Sequence, residues 1–112
     1  MLRKVGLEFN KNKKISLNVK KLNWLGKFIG LMFCRREKAK ALLFDFKKPV
    51  KIAIHSWFVF FDFYAIWLDE NEKIIQIKKI KPWTCFVRPN KKFVKLVEIP
   101  INLKYKNVIG LI

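Results

Sequence analysis

His55 is the only imidazole in the chain, and with Cys34 and Cys85 it makes up a short inventory of side chains suited to general-base or nucleophilic chemistry. A histidine acting as a base needs a carboxylate to orient it and to stabilise its charged form. Asp62 and Glu98 are acids that neighbouring strands could bring to it. His55, Asp62 and Glu98 therefore form a candidate pocket for a small ligand or a hydrolytic reaction. The competing role for a single histidine among aromatics is a hydrogen-bonded structural side chain. Cys34 precedes Arg35 and Arg36, whose charges would depress the pKa of an exposed thiol. One histidine and two widely separated thiols lack metal-ligand spacing, so no metal site is expected. The four glycines are scattered and build no phosphate loop, so no cofactor is expected. No catalytic set emerges, and the balance leans away from an enzyme.

The second kind of chemistry is electrostatic. Lys78, Lys79, Lys81 and Arg88 flank Trp83, a grouping that could contact phosphates through the cations and stack a base on the indole. The whole chain carries 25 Lys and Arg against eight acids, a net charge of +17, which favours nucleic acid or another polyanion as partner. The lysines run along the entire sequence, so a general compositional bias competes with a selected binding face. A protein partner meeting exposed aromatics is a further possibility.

These residues need a scaffold, and composition bounds it. A chain of 112 residues that is 52% hydrophobic is long enough for one packed domain, taken as residues 1–112, and too apolar to be a disordered basic tail. The N-terminal segment has no apolar stretch of signal-peptide type, and two cysteines do not make a disulfide framework, so the reducing cytoplasm is the expected location. The most apolar band is Ile52–Asp69. Its longest run without a formal charge is ten residues, Ile52–Phe61, before Asp62 interrupts it. A spanning helix needs roughly 20 apolar residues, so no membrane span is expected.

The periodicities predict mostly strands. Leu2–Phe9 and Lys14–Val19 form a hairpin around a polar turn, and Ala41–Phe46 is a core strand ended by Lys47-Lys48-Pro49. Lys51–Val59 and Phe63–Leu68 read as two central strands bent at Phe61-Asp62. Asp69-Glu70-Asn71-Glu72 turns the chain into a strand over Lys73–Ile80, and Phe93–Ile99 alternates again before Pro100. Leu103–Ile109 reads as an edge strand. Leu22, Leu25, Ile29 and Met32 recur at helical spacing and predict the one main helix. The expected fold is α+β: a small β-rich single domain whose mostly antiparallel or mixed sheet curls toward a barrel.

Several short motifs then occur in a recognisable order: Gly30-Leu31-Met32-Phe33, Leu42-Leu43-Phe44, Ile54-His55, Trp67-Leu68-Asp69, Pro82-Trp83 and Val97-Glu98-Ile99-Pro100. Over residues 22–100 this set resembles the uncharacterised prokaryotic family called domain of unknown function 192, especially its archaeal-type members. The resemblance implies a compact β-rich domain with a helix ahead of the Gly-Leu-Met segment, and no established reaction. The chain also departs from the family pattern. Phe60, Asp62 and Tyr64 stand where the family tends to have a basic residue, a proline and an aspartate. Cys34 stands at a usually basic position, and the family's closing Gly-Asp is absent. Any site that those positions build in relatives is therefore altered in this chain.

Overall fold

In the computed structural model, residues 2–9, 13–21, 31–32 and 34–112 are described. Six strands form one sheet: β1 (Leu2–Phe9), β2 (Lys13–Lys21), β3 (Leu42–Val50), β4 (Phe63–Leu68), β5 (Ile74–Ile80) and β6 (Phe93–Pro100). Their spatial order is β1-β2-β3-β6-β4-β5. The β2–β3 pairing is parallel and short, and every other pairing is antiparallel. The mixed sheet curls into a half-barrel, in line with the β-rich sheet curled toward a barrel that the periodicities predict.

Side-chain pattern explains which strand lies where. In β1 the residues Val5, Leu7 and Phe9 are buried while Lys4, Gly6 and Glu8 are exposed, the alternation of a strand with one wet face. In β4 the consecutive residues Ala65, Ile66, Trp67 and Leu68 are all fully buried, which requires cover on both faces. β6, between β3 and β4, is buried along nearly its whole length. Two cores result. One gathers Val5, Leu7, Val19, Leu43, Ile66 and Ile99 on one face, and the other gathers Leu42, Phe44, Phe61, Phe63, Trp67 and Phe93 on the opposite face. Each large apolar side chain fully buried in this way contributes ~1.5–3 kcal/mol.

The curl brings the end strands β1 and β5 near each other. Arg3 on β1 reaches Glu72, in the turn before β5, at 2.8 Å, and Asp45 on β3 at 3.8 Å. Lys95 on β6 also reaches Glu72, at 3.1 Å. This small ion network ties four parts of the half-barrel together.

Three expectations are corrected. The segment Lys51–Val59 is not a strand: within it only Ile54 makes a ladder contact, an isolated bridge to Val87. The reason is topological. β4 already has β5 and β6 on its two sides, so the segment cannot lie as a strand beside β4. Leu103–Ile109 is likewise no edge strand, but a 3-10 turn, Leu103–Tyr105, followed by the short helix α1, Lys106–Ile109. The buried Asn102 side chain accepts the Tyr105 N–H at 3.3 Å, the capping arrangement that starts a helical turn. β3, finally, runs past the predicted stop to Val50. Its ladder to β6 is irregular between Asp45 and Val50, with Lys47 at a φ of 61°, and Pro49 sits in that break where no N–H is required. The helix predicted over Leu22–Met32 falls largely on residues 22–30, outside the described residues; Leu31 and Met32 lie in a turn.

Candidate functional site

The segment that fails to become a strand is held instead against the loop after β5, and Ser56 holds it. Ser56 is fully buried. Its hydroxyl donates to the Lys81 carbonyl at 2.6 Å and accepts the Thr84 N–H at 2.7 Å. Its backbone N–H donates to the Thr84 carbonyl at 2.9 Å, and its carbonyl accepts from Trp83 N–H at 2.9 Å and Val59 N–H at 3.1 Å. Reciprocal Ile54–Val87 backbone bonds of 2.8 and 2.9 Å extend the seam. Every polar atom of this buried serine is thus satisfied by the loop it organises.

With the backbones tied together, the large side chains face outward. Trp57, Phe58, Phe60, Trp83 and Phe86 are all exposed, Phe86 at 84%. Phe58 and Phe60 pack edge-on against Trp83, with ring centroids 4.9 and 6.0 Å away. Trp57 stacks at a tilt beside His55, 5.3 Å away, and its indole N–H donates to the Cys85 sulfur at 2.8 Å. Phe58, Trp83 and Phe86 also hold left-handed backbone, at φ values of 60°, 61° and 53°. A non-glycine residue in that region costs roughly 1–2 kcal/mol. Three bulky residues bear that cost on one exposed patch.

Beside this aromatic ledge lies an open groove of about 760 Å³ between β5 and the loop Thr84–Asn90. Among the described residues five cations line it, Lys51, Lys78, Lys79, Lys81 and Arg88, and no acid does. The Lys78 ammonium donates to the Arg88 carbonyl at 2.9 Å, strapping the loop to the strand, and Lys79 lies 3.7 Å from Asp62 at the surface. An exposed pair of that kind is worth little, about 0–1 kcal/mol, and leaves Lys79 available to another anion.

The four predicted cations Lys78, Lys79, Lys81 and Arg88 come together on this groove, and Trp83 lies in the adjoining turn. His55, Asp62 and Glu98 sit in three different settings: His55 exposed beside Trp57, Asp62 half-buried against Lys79, Glu98 within the sheet between Leu42 of β3 and Ala65 of β4. Among the described residues no hydrogen bond or ion pair joins the three. Burial pushes the Glu98 carboxyl up to about 8. Burial also pushes the half-buried Cys34 thiol up, with nearby Lys20 opposing, so the depression expected from Arg35 and Arg36 does not occur. Sequence reasoning did not group Lys51, Ser56, Phe58, Phe60 or Phe86 with the cations and Trp83 of this surface. The one available signal was Pro82-Trp83, a turn pair that forces aromatics onto a loop.

The fold and this surface define a small β-rich half-barrel domain with a basic groove and an aromatic ledge at one edge. The chain belongs to the DUF192 family, the uncharacterized ACR group, which matches residues 7–107. It is 25% identical over 82 residues to a UPF0127 protein of Pyrococcus horikoshii, covering 73% of this chain and 70% of that one. A UPF0127 protein of Pyrococcus furiosus is 26% identical over 92 residues, covering 80% and 79%. Among solved structures, a Sinorhizobium meliloti protein provisionally described as a transcription regulator superposes with a TM-score of 0.80 at 17% identity, over 100% of this chain and 88% of that one. A protein of unknown function from Novosphingobium aromaticivorans superposes with a TM-score of 0.73 at 12% identity, over 96% and 79%. At such identities these structures share the fold alone.

Proposed function

We propose that this chain is a non-enzymatic binding module for a phosphate-bearing polyanion, held in the groove by Lys51, Lys79, Lys81 and Arg88. The observation that carries the reading is the convergence of five cations on one groove, with no acid among the described residues that line it. Like charges gathered in this way repel one another, and a bound polyanion relieves that repulsion. Lys78 contributes charge while bracing the wall through Arg88. Both cysteines are free, which suits a reducing compartment such as the cytoplasm.

The test is binding of inorganic polyphosphate, followed by titration calorimetry between 50 and 200 mM salt. Release of counterions from about four or five neutralised phosphates gives a log–log salt slope near −3 to −4. Affinity that stays flat across this range would contradict the proposal.

A further inference from the structure

We infer that the polyanion is single-stranded nucleic acid, its phosphates in the basic groove and its bases stacked on the ledge formed by Trp83 and Phe86. This rests on the polyanion reading above and adds the ledge to it. A phosphate chain without bases would use only the cations and would leave the aromatics unexplained. Exposed rings give every base a π-face to stack on, irrespective of sequence.

Groove and ledge are parts of one surface. Lys81 and Thr84, which bracket Trp83, both line the groove, and so does Phe86. Cys85, also on the groove wall, takes the hydrogen bond from Trp57. Phe58 and Phe60 brace the Trp83 ring from the side, so its exposed surface is presented in one orientation. The Ser56 seam fixes the backbone beneath, and the left-handed residues Phe58, Trp83 and Phe86 turn their side chains out of the fold. Strained backbone concentrated on bulky exposed residues marks a surface kept for contact rather than for packing.

The occupant is a single strand and not a duplex for two reasons. Bases in a duplex are stacked on one another and offer no free face. Duplex readout uses an element that enters the major groove, a helix or two-stranded ribbon, whereas this site is a concave groove between strand β5 and a loop. The groove volume also falls in the range of small-molecule sites, enough for a few nucleotides.

The experiment compares four probes on the full chain by fluorescence anisotropy or co-sedimentation: oligothymidylate of about a dozen nucleotides, a duplex of the same length, inorganic polyphosphate, and phosphatidylglycerol vesicles. The single strand is expected to bind at least about tenfold more tightly than the duplex. The variant Trp83→Ala/Phe86→Ala should weaken oligothymidylate by about 10- to 100-fold while leaving polyphosphate within about twofold. Trp83→Phe, which keeps a ring, should recover most of the affinity and controls for folding. Oligothymidylate binding indifferent to Trp83→Ala/Phe86→Ala, or a duplex bound as tightly as the single strand, overturns the inference while the polyanion reading stands. Vesicle binding that falls with the aromatic variant while oligothymidylate binding does not assigns the ledge to a membrane surface, and also overturns it. Absence of polyphosphate binding by the unaltered chain overturns the underlying reading instead.

Discussion

Glu98 shows how much a single residue can hide in a sequence. In the run Phe93–Ile99 it reads as one of two charged members, with Lys95, of an alternating strand. The structure places it fully inside the sheet, on the face where Leu42, Ala65 and Leu96 lie. Trp67, diagonal to it across the β4–β6 ladder, has a buried indole N–H with no hydrogen-bond partner among the described residues. Burial raises the Glu98 carboxyl from its ordinary 4.5 to about 8. The folded state therefore keeps a proton between those values that the unfolded state has released. Stability from this group is full below about pH 4.5, falls as pH rises through the window, and levels off above about 8. The decline reaches up to ~1.4 kcal/mol for each pH step. Glu98→Gln, which mimics the neutral acid, should flatten the decline and raise the melting temperature at pH 8 relative to the unaltered chain. An unchanged pH profile of thermal unfolding in that variant would refute the assignment. Sequence could identify the carboxylate but not its solvent, because burial on both faces of β6 depends on partners remote in the chain.

At the scale of elements, the strands with strong alternation or continuous apolar character were legible: β1, β2, β4, β5 and β6 lie within two residues of expectation. The misread elements have separate causes, and for Lys51–Val59 the cause is the topology of the sheet. Ile52–Phe60 is as β-favouring as any strand here, yet propensity counts residues and not open edges, and the edges of β4 are already taken. The turn before β5 shows the same limit on a small scale. Asp69 accepts the Asn71 and Lys73 N–H groups, as the turn composition suggests, while the left-handed backbone falls on Glu72, a residue with no special aptitude for it. The C-terminal elements depend on Asn102, whose amide donates to the Arg36 and Ala39 carbonyls at 2.7 and 3.2 Å while its carbonyl caps Tyr105. Tyr105 in turn accepts the Ala41 N–H at 2.7 Å. Asn102→Ala removes a cap and leaves the buried Ala39 carbonyl without its amide donor, so it should cost about 1–3 kcal/mol in denaturant unfolding. Asn102→Asp keeps the acceptor and loses the donor, and should fall between the two. Equal stability of the alanine variant and the unaltered chain would show that the hydrogen bonds do not anchor this segment.

For the whole molecule, the β-rich half-barrel and the family were both within reach of the sequence, the first through periodicity and the second through ordered short motifs. The site was legible only in part. Lys78, Lys79, Lys81, Trp83 and Arg88 are close in sequence and could be grouped, whereas Lys51, Phe58 and Phe60 join them only through the Ser56 seam. Charge alone was a poor guide. Exposed lysines also stand on β1, β2, β3 and α1, so a net charge of +17 marks no particular face. What distinguishes the groove is local: cations from two segments and a strand, no lining acid, and aromatics alongside. The most direct measurement therefore separates place from total charge. Polyphosphate binding is compared between Lys51→Glu/Lys81→Glu/Arg88→Glu and Lys4→Glu/Lys40→Glu/Lys106→Glu, which change net charge equally while only the first alters the groove. The account predicts that affinity falls at least about 100-fold in the groove variant and less than about fivefold in the control. Equal losses in both would mean that the molecule binds through its overall charge and that the groove is not a site.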